Sequence, residues 1–227
     1  MAKMKLKKRI GIGIILNLII VIVTFCAILW QIVFRGNAGP LGGFGSGLGS
    51  LQTFTNESNI LCAVIALVMA IVGIYNLKYK KYYFSHGLRT LQLIGTTAVL
   101  LTFAIVLVFL APLFTIQTSN PLALFSSSMF FTHFLTPLLA VLAFVFFTPN
   151  RAKLTVLDNF LVLIPVILYG IVYLINVVFL QNWPDFYHFT FGGQNQLIPL
   201  VVVVIFAGTF GLARLLICGQ RRYQKLH

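Results

Sequence analysis

Acidic residues are almost missing from this chain: 3 Asp and Glu stand against 16 Lys and Arg in 227 residues, and charged residues of both signs reach only 8%. A soluble domain carries about 25% charged residues. A fold wrapped in a water-exposed surface is therefore excluded. Cysteine is also scarce. Cys26, Cys62 and Cys218 lie apart in apolar stretches without CxxC spacing, which suggests neither a disulfide framework nor a zinc site. The glycine-rich stretch from Gly36 to Ser50 lacks GxGxxG and a following Lys-Ser/Thr pair, so it is not a phosphate loop. No metal and no cofactor is expected.

What is present is hydrocarbon. Residues of the AVILMFWYC set make up 59% of the chain, and the mean hydropathy is +1.00. The basic residues fall in short clusters between long apolar runs instead of alternating with polar residues on one face, so no nucleic-acid partner is expected. A bilayer core of about 30 Å needs roughly 20 apolar residues per helix. Six runs meet that length, at 10–34, 57–77, 90–113, 126–147, 157–180 and 196–218. They predict an all-α, polytopic membrane protein, a single six-helix transmembrane domain over 1–227.

Positive charge marks the cytoplasmic side of a membrane protein. Lys3, Lys5, Lys7, Lys8 and Arg9 precede the first run; Lys78, Lys80, Lys81 and Arg89 lie between the second and third; Arg151 and Lys153 lie between the fourth and fifth. Arg214, Arg221, Arg222 and Lys225 lie at the end of the last, so alternating spans place 15 of the 16 basic residues on one side and leave Arg35 opposite. Both termini are expected in the cytoplasm, with the cell membrane as the location. The first run is longer than a secretory signal core and lacks a small-x-small exit, so it is expected to remain as a helix. No pair of Gly/Pro-broken helices suggests an inverted-repeat transporter.

Polar residues recurring at helical spacing mark faces turned from lipid. Asn17, Thr24 and Gln31 recur every seven residues in the first run. Thr55, Ser58, Asn59 and Cys62 share one face where the second begins; Ser126, Met129, His133, Thr136, Pro137 and Ala140 share one on the fourth; Tyr169, Tyr173 and Asn176 climb the fifth. Gln31, Thr55, Asn59, His133, Tyr173 and Asn176 all fall in the outer half, predicting a polar pocket that opens outward. His133 is the one ionisable group well inside a span, and such a group is a functional candidate. Packing offers the plainer alternative: a neutral His bonded to Thr or Asn of neighbouring helices. Thr55 and Ser58 likewise read as helix N-caps. In the last connection, 181–196, Trp183 and Tyr187 read as interface anchors. Asp185 and His188 read as solvated, or as groups orienting a catalytic residue. Gly36 to Ser50 reads as a linker or a lid.

Six spans with cytoplasmic termini, Phe54-Thr55 opening the second, Asn59 one turn later, and His133 with Pro137 in the fourth resemble the androgen-induced and androgen-dependent TFPI-regulating membrane proteins. That resemblance extends over nearly the whole chain and implies a six-span hydrolase of hydroxy-fatty-acid esters, with Thr55 as nucleophile and His133 as the essential histidine. A threonine hydroxyl needs a base to take its proton, which His133 would supply before protonating the leaving alcohol. Asn59 would orient a group or stabilise the oxyanion. A membrane lipid ester would enter sideways from the outer leaflet. The span limits set Thr55 at the membrane surface and His133 about two turns deeper, so contact requires one helix to shift by a turn. Two other readings fit six spans: a substrate-binding subunit of a vitamin importer, expected to enclose a compact polar ligand, and a noncatalytic scaffold.

Overall fold

In lipid every backbone N–H and C=O must be paired within the protein, which leaves helices as the way to build these runs. The computed structural model describes residues 2–34, 47–118, 123–149 and 153–226, and among these it is all helix and connecting turns, with no strand. Six helices are long and apolar enough to span a membrane: α1 (Leu6–Val33), α2 (Phe54–Lys78), α3 (His86–Leu113), α4 (Ser127–Phe147), α5 (Val156–Phe179) and α6 (Asn195–Gln224). Several begin or end a turn beyond the apolar runs, as α3 does at His86 and α6 at Gln224. Charged residues stop a hydropathy run but not a helix, because Lys and Arg continue the helix while their head groups reach water.

The helices run up and down, so both ends of the chain meet at one end of the bundle, here the terminal end. Arg9 of α1 donates to the Phe146 carbonyl of α4 (3.0 Å), and the Arg9 guanidinium lies over the Tyr223 ring of α6. Arg89 of α3 donates to Gln220 of α6 (2.8 Å), and Gln220 donates to the Phe144 carbonyl (2.7 Å). Thr90 donates to Asp158 of α5 (2.5 Å), and His86 Nε2 lies 3.0 Å from the same carboxylate. Asp158 also closes a capping box with Thr155, which starts α5. The span limits place Arg89 in the connection between the second and third runs. It is 1% exposed, inside α3, and joins two helices there.

α3 is the centre of the bundle, packed against α2, α4 and α6, while α1 covers α2 and α4, and α5 is the most peripheral. Close approach depends on small residues, as usual in membrane bundles. At Gly13 of α1, a Cβ would stand 2.8 Å from the Phe147 carbonyl oxygen of α4. The opposite, far end differs in helix geometry: α3, α4 and α5 each contain a π turn there, at Val106–Leu110, Phe131–Leu135 and Ile175–Phe179. Such turns carry one extra residue, rotate the side chains that follow, and are frequent at functional sites.

Gly13→Ala forces backbone apart and is expected to cost about 1–3 kcal/mol of stability. Gly11→Ala, where a Cβ meets nothing, should be neutral or slightly stabilising. Thermal unfolding of the two variants in detergent checks this; equal melting would show that α1 and α4 do not meet at Gly13.

Candidate functional site

The polar faces expected from the sequence converge at the far end, and local geometry decides what each residue does there. Thr53, not Thr55 or Ser58, is the N-cap of α2: its backbone is extended (φ −92°, ψ 139°) and its hydroxyl accepts from the Asn56 N–H (3.3 Å). The Thr55 hydroxyl is therefore free of capping. Asn56 gives its amide to Gln31 Oε1 (2.6 Å) and to the Ser50 carbonyl (2.8 Å), tying α1 and the short 3₁₀ turn Gly47–Gln52 to the start of α2. Ser58 bonds to the Thr55 carbonyl (3.0 Å) and meets the Thr102 hydroxyl of α3 (3.1 Å). Most of Gly36 to Ser50, read as linker or lid, lies outside the described residues.

On α4 the π turn changes the inward face. Met129, His133, Thr136, Pro137 and Ala140 are buried as the spacing predicts, but Ser126 is exposed, ahead of the first turn. The extra residue turns Thr132 inward beside His133, with exposures of 0% and 5%. His133 Nδ1 lies 2.6 Å from the Leu124 carbonyl oxygen. A carbonyl only accepts, so in the neutral ring Nδ1 carries the proton and Nε2 keeps its lone pair.

Thr55 and His133 line one cavity, together with Gln31, Thr53, Asn56, Thr132 and Tyr187. Its volume is about 30 Å³, room for about two water molecules. The helix α2 begins at Phe54, so Thr55 lies in its first turn, and its side chain and that of His133 border the same space. Asn59 sits just beside this cavity, 0% exposed, donating to the Thr55 carbonyl (2.7 Å) and the Thr132 carbonyl (3.1 Å). Both of its N–H groups are engaged, so its geometry suits orienting the two helices and leaves no donor for an oxyanion.

The remaining expected residues lie elsewhere. Asn176 folds back on the Val172 carbonyl (2.9 Å), and its own carbonyl accepts from Asn182 and Trp183 (2.8 and 3.2 Å), so it closes the end of α5 outside the cavity. Tyr173 donates to Asp185, and Asp185 also accepts from Phe189 N (2.9 Å), Thr190 N (2.7 Å) and Thr190 Oγ1 (2.6 Å). Asp185 is thus the organiser of the α5–α6 connection. His188 meets it only through backbone, N–H to carbonyl at 3.0 Å.

That connection delivers a residue the sequence reading took for a membrane anchor. Tyr187 is 7% exposed, stacks on Phe189 at 5.1 Å, and sets its phenol against the Thr55 side chain. Among the described residues its hydroxyl has no hydrogen-bond partner. Burial pushes this phenol up to about 12, so it stays protonated and able to donate. The signal available in the sequence, five aromatics in nine residues from Trp183 to Phe191, fits a lid as well as an interface belt. Asn56 and Thr132 were missed because their neighbours already filled the regular spacing.

Burial raises the Asp185 carboxyl, but hydrogen bonds from Thr190, Tyr173 and the Phe189 and Thr190 amides outweigh it and hold the group below the usual carboxylate range. A depressed value in the fold stabilises above the ordinary carboxylate range, and that stabilisation is lost as pH falls through the depressed value. Hydrogen exchange of amides 183–191 should stay slow until pH drops below the range in which carboxylates usually titrate. Asp185→Asn should speed it at neutral pH, by loss of about 1.5–3 kcal/mol; unchanged protection would show that Asp185 does not hold the loop. Compared with known proteins, the chain matches no family, no characterised protein and no solved structure.

Proposed function

We propose that this chain is an integral membrane hydrolase that cleaves a fatty-acyl ester, of the kind formed on a hydroxy fatty acid, with Thr55 as nucleophile and His133 as base. The observation that carries the reading is the shared cavity, in which a hydroxyl free of capping and an imidazole anchored through Nδ1 come together. His133 Nε2 takes the Thr55 proton while Oγ1 attacks the ester carbonyl carbon, and the carbonyl electron pair moves onto oxygen. The pair returns, the C–O bond to the alcohol breaks, and Nε2 protonates the departing oxygen. Water then attacks the acyl-threonine, again giving its proton to Nε2, and the Thr55 oxygen recovers that proton as the acid is released. Asn56 lines the cavity beside Thr55, and its Oδ1 is buried without a hydrogen-bond partner among the described residues.

Gln31 supports this geometry through Asn56, Asn59 through the two carbonyls, and Tyr173 and Asp185 through the connection that carries Tyr187. We place both termini in the cytoplasm and the site in the outer half of the cell membrane, on the distribution of Lys and Arg. The substrate then enters from the surrounding lipid, and no cofactor is required by the steps above.

Detergent-purified protein should hydrolyse lipid esters, with turnover reduced about 10²–10⁴-fold in Thr55→Ala and in His133→Ala while both melt like the parent. Thr55→Ser should keep part of the activity. Cleavage that proceeds undiminished in either alanine variant would end the mechanism.

A further inference from the structure

Two hydroxyl-bearing side chains at the far end, Thr55 and Tyr187, lie against each other at the boundary between two cavities. The polar cavity of Thr55 and His133 lies on one side. On the other is an apolar one of about 90 Å³, lined by Leu101 and Ile105 of α3, Val166 and Gly170 of α5, and Val202 and Phe206 of α6. Thr55 and Tyr187 line both. The other polar groups around the apolar cavity are used: Thr102 bonds to the Ala98 carbonyl (3.3 Å), Tyr169 to the Gln52 carbonyl (2.9 Å), and Tyr173 to Asp185. What remains is a greasy chamber whose mouth presents Thr55 Oγ1 and the unpartnered Tyr187 hydroxyl.

We propose that this chamber is the acyl-chain subsite, taking the first few methylenes of one fatty-acyl chain between α3, α5 and α6, and that the Tyr187 hydroxyl donates to the carbonyl oxygen at its mouth. The proposal rests on the hydrolase reading and extends it by dividing the substrate. A carbonyl carbon within reach of Thr55 has two substituents to place. His133 must protonate the leaving alcohol, which puts the alcohol on the polar side. The acyl chain is left with the apolar side, whose lining matches the hydrocarbon that the chain leaves. As Oγ1 attacks, charge develops on the carbonyl oxygen, and a protonated phenol set against the Thr55 side chain stands next to that charge and stabilises it by turning its proton toward it. The half-buried Gly170, Leu174, Val201 and Val202 form a rim on α5 and α6 through which a chain enters from lipid.

Gly170 supplies the test, because a Cβ there meets no atom within 4 Å and a larger side chain projects into open space. The full-length protein in detergent is photolabelled with a fatty acid carrying a diazirine a few carbons from its carboxyl group, and the adducts are mapped by mass spectrometry. Labels should concentrate on 101–106, 166–174 and 198–206. Gly170→Phe, and Val202→Trp as a second plug, should cut this labelling about tenfold and shift ester preference toward short chains by a similar factor. Tyr187→Phe should leave the labelling in place and lower kcat about 10²–10³-fold. Label spread evenly over the lipid-facing surfaces of α1 and α2, or untouched by both plugs, would mean that the chamber holds bilayer lipid only and would overturn the subsite. An unchanged kcat in Tyr187→Phe would overturn the donor role. Focused, plug-sensitive labelling without any ester cleavage would sustain the chamber and reject the hydrolase. Thr55-dependent cleavage indifferent to the plugs would do the reverse.

Discussion

A polar side chain inside a helix bundle surrounded by hydrocarbon has to find its partner among the other helices, and this constraint organises the molecule. The stripe Asn17, Thr24 and Gln31 turns inward on α1 and meets, in order, its own helix at Gly13, the Thr136 hydroxyl of α4, and Asn56 of α2. Interhelical bonds of this kind are worth only about 0.6 kcal/mol each. Four of them, Thr24–Thr136, Gln31–Asn56, Ser58–Thr102 and Asn59–Thr132, therefore contribute a few kcal/mol at most. Close packing at Gly13, Gly73 and Gly95 holds the helices together, and the polar pairs fix which residues face one another.

The two ends of the bundle use that constraint differently. At the terminal end Arg89, Gln220, Asp158 and Arg221 each reach another helix or a connecting carbonyl, while Arg9 Nη2, Gln92 Oε1 and Asn159 Oδ1 are buried without a hydrogen bond among the described residues. At the far end three π turns loosen the regular spacing, and Asn56 Oδ1, Asn59 Oδ1 and the Tyr187 hydroxyl are buried without partners. Unpartnered buried groups are costly and uncommon in folded proteins. Two of these residues, Asn56 and Tyr187, line the cavity that Thr55 and His133 share.

Most of the architecture was legible because lipid imposes a simple rule on length and polarity. The six runs, the inward faces of α1 and α2, and the convergence of Thr55 with His133 all follow from it. What the rule missed has local causes. Regular 3.6-residue spacing does not foresee a π turn, so Thr132 escaped notice and Ser126 was placed on the inward face. Capping depends on backbone angles, and Thr53 took the role that Thr55 and Ser58 had seemed suited to. Asn176 shared a stripe with Tyr173 in sequence, yet the turn at Ile175–Phe179 rotates it out to close the helix end. Tyr187 and Asp185 belong to a connection whose shape comes from bonds to one carboxylate, which periodicity does not encode.

The anchoring of His133 carries a mechanical corollary. Its ring is held by Leu124, which lies in the segment leading into its own helix, nine residues away in the chain, whereas Thr55 rides on a separate helix steadied from α1. A change in bilayer thickness that tilts or slides these helices past one another would carry the imidazole and its anchor as a unit. The ring's tautomer would survive, while its separation from the hydroxyl would change. In the proposed mechanism, lipid composition would act on reactivity through that spacing.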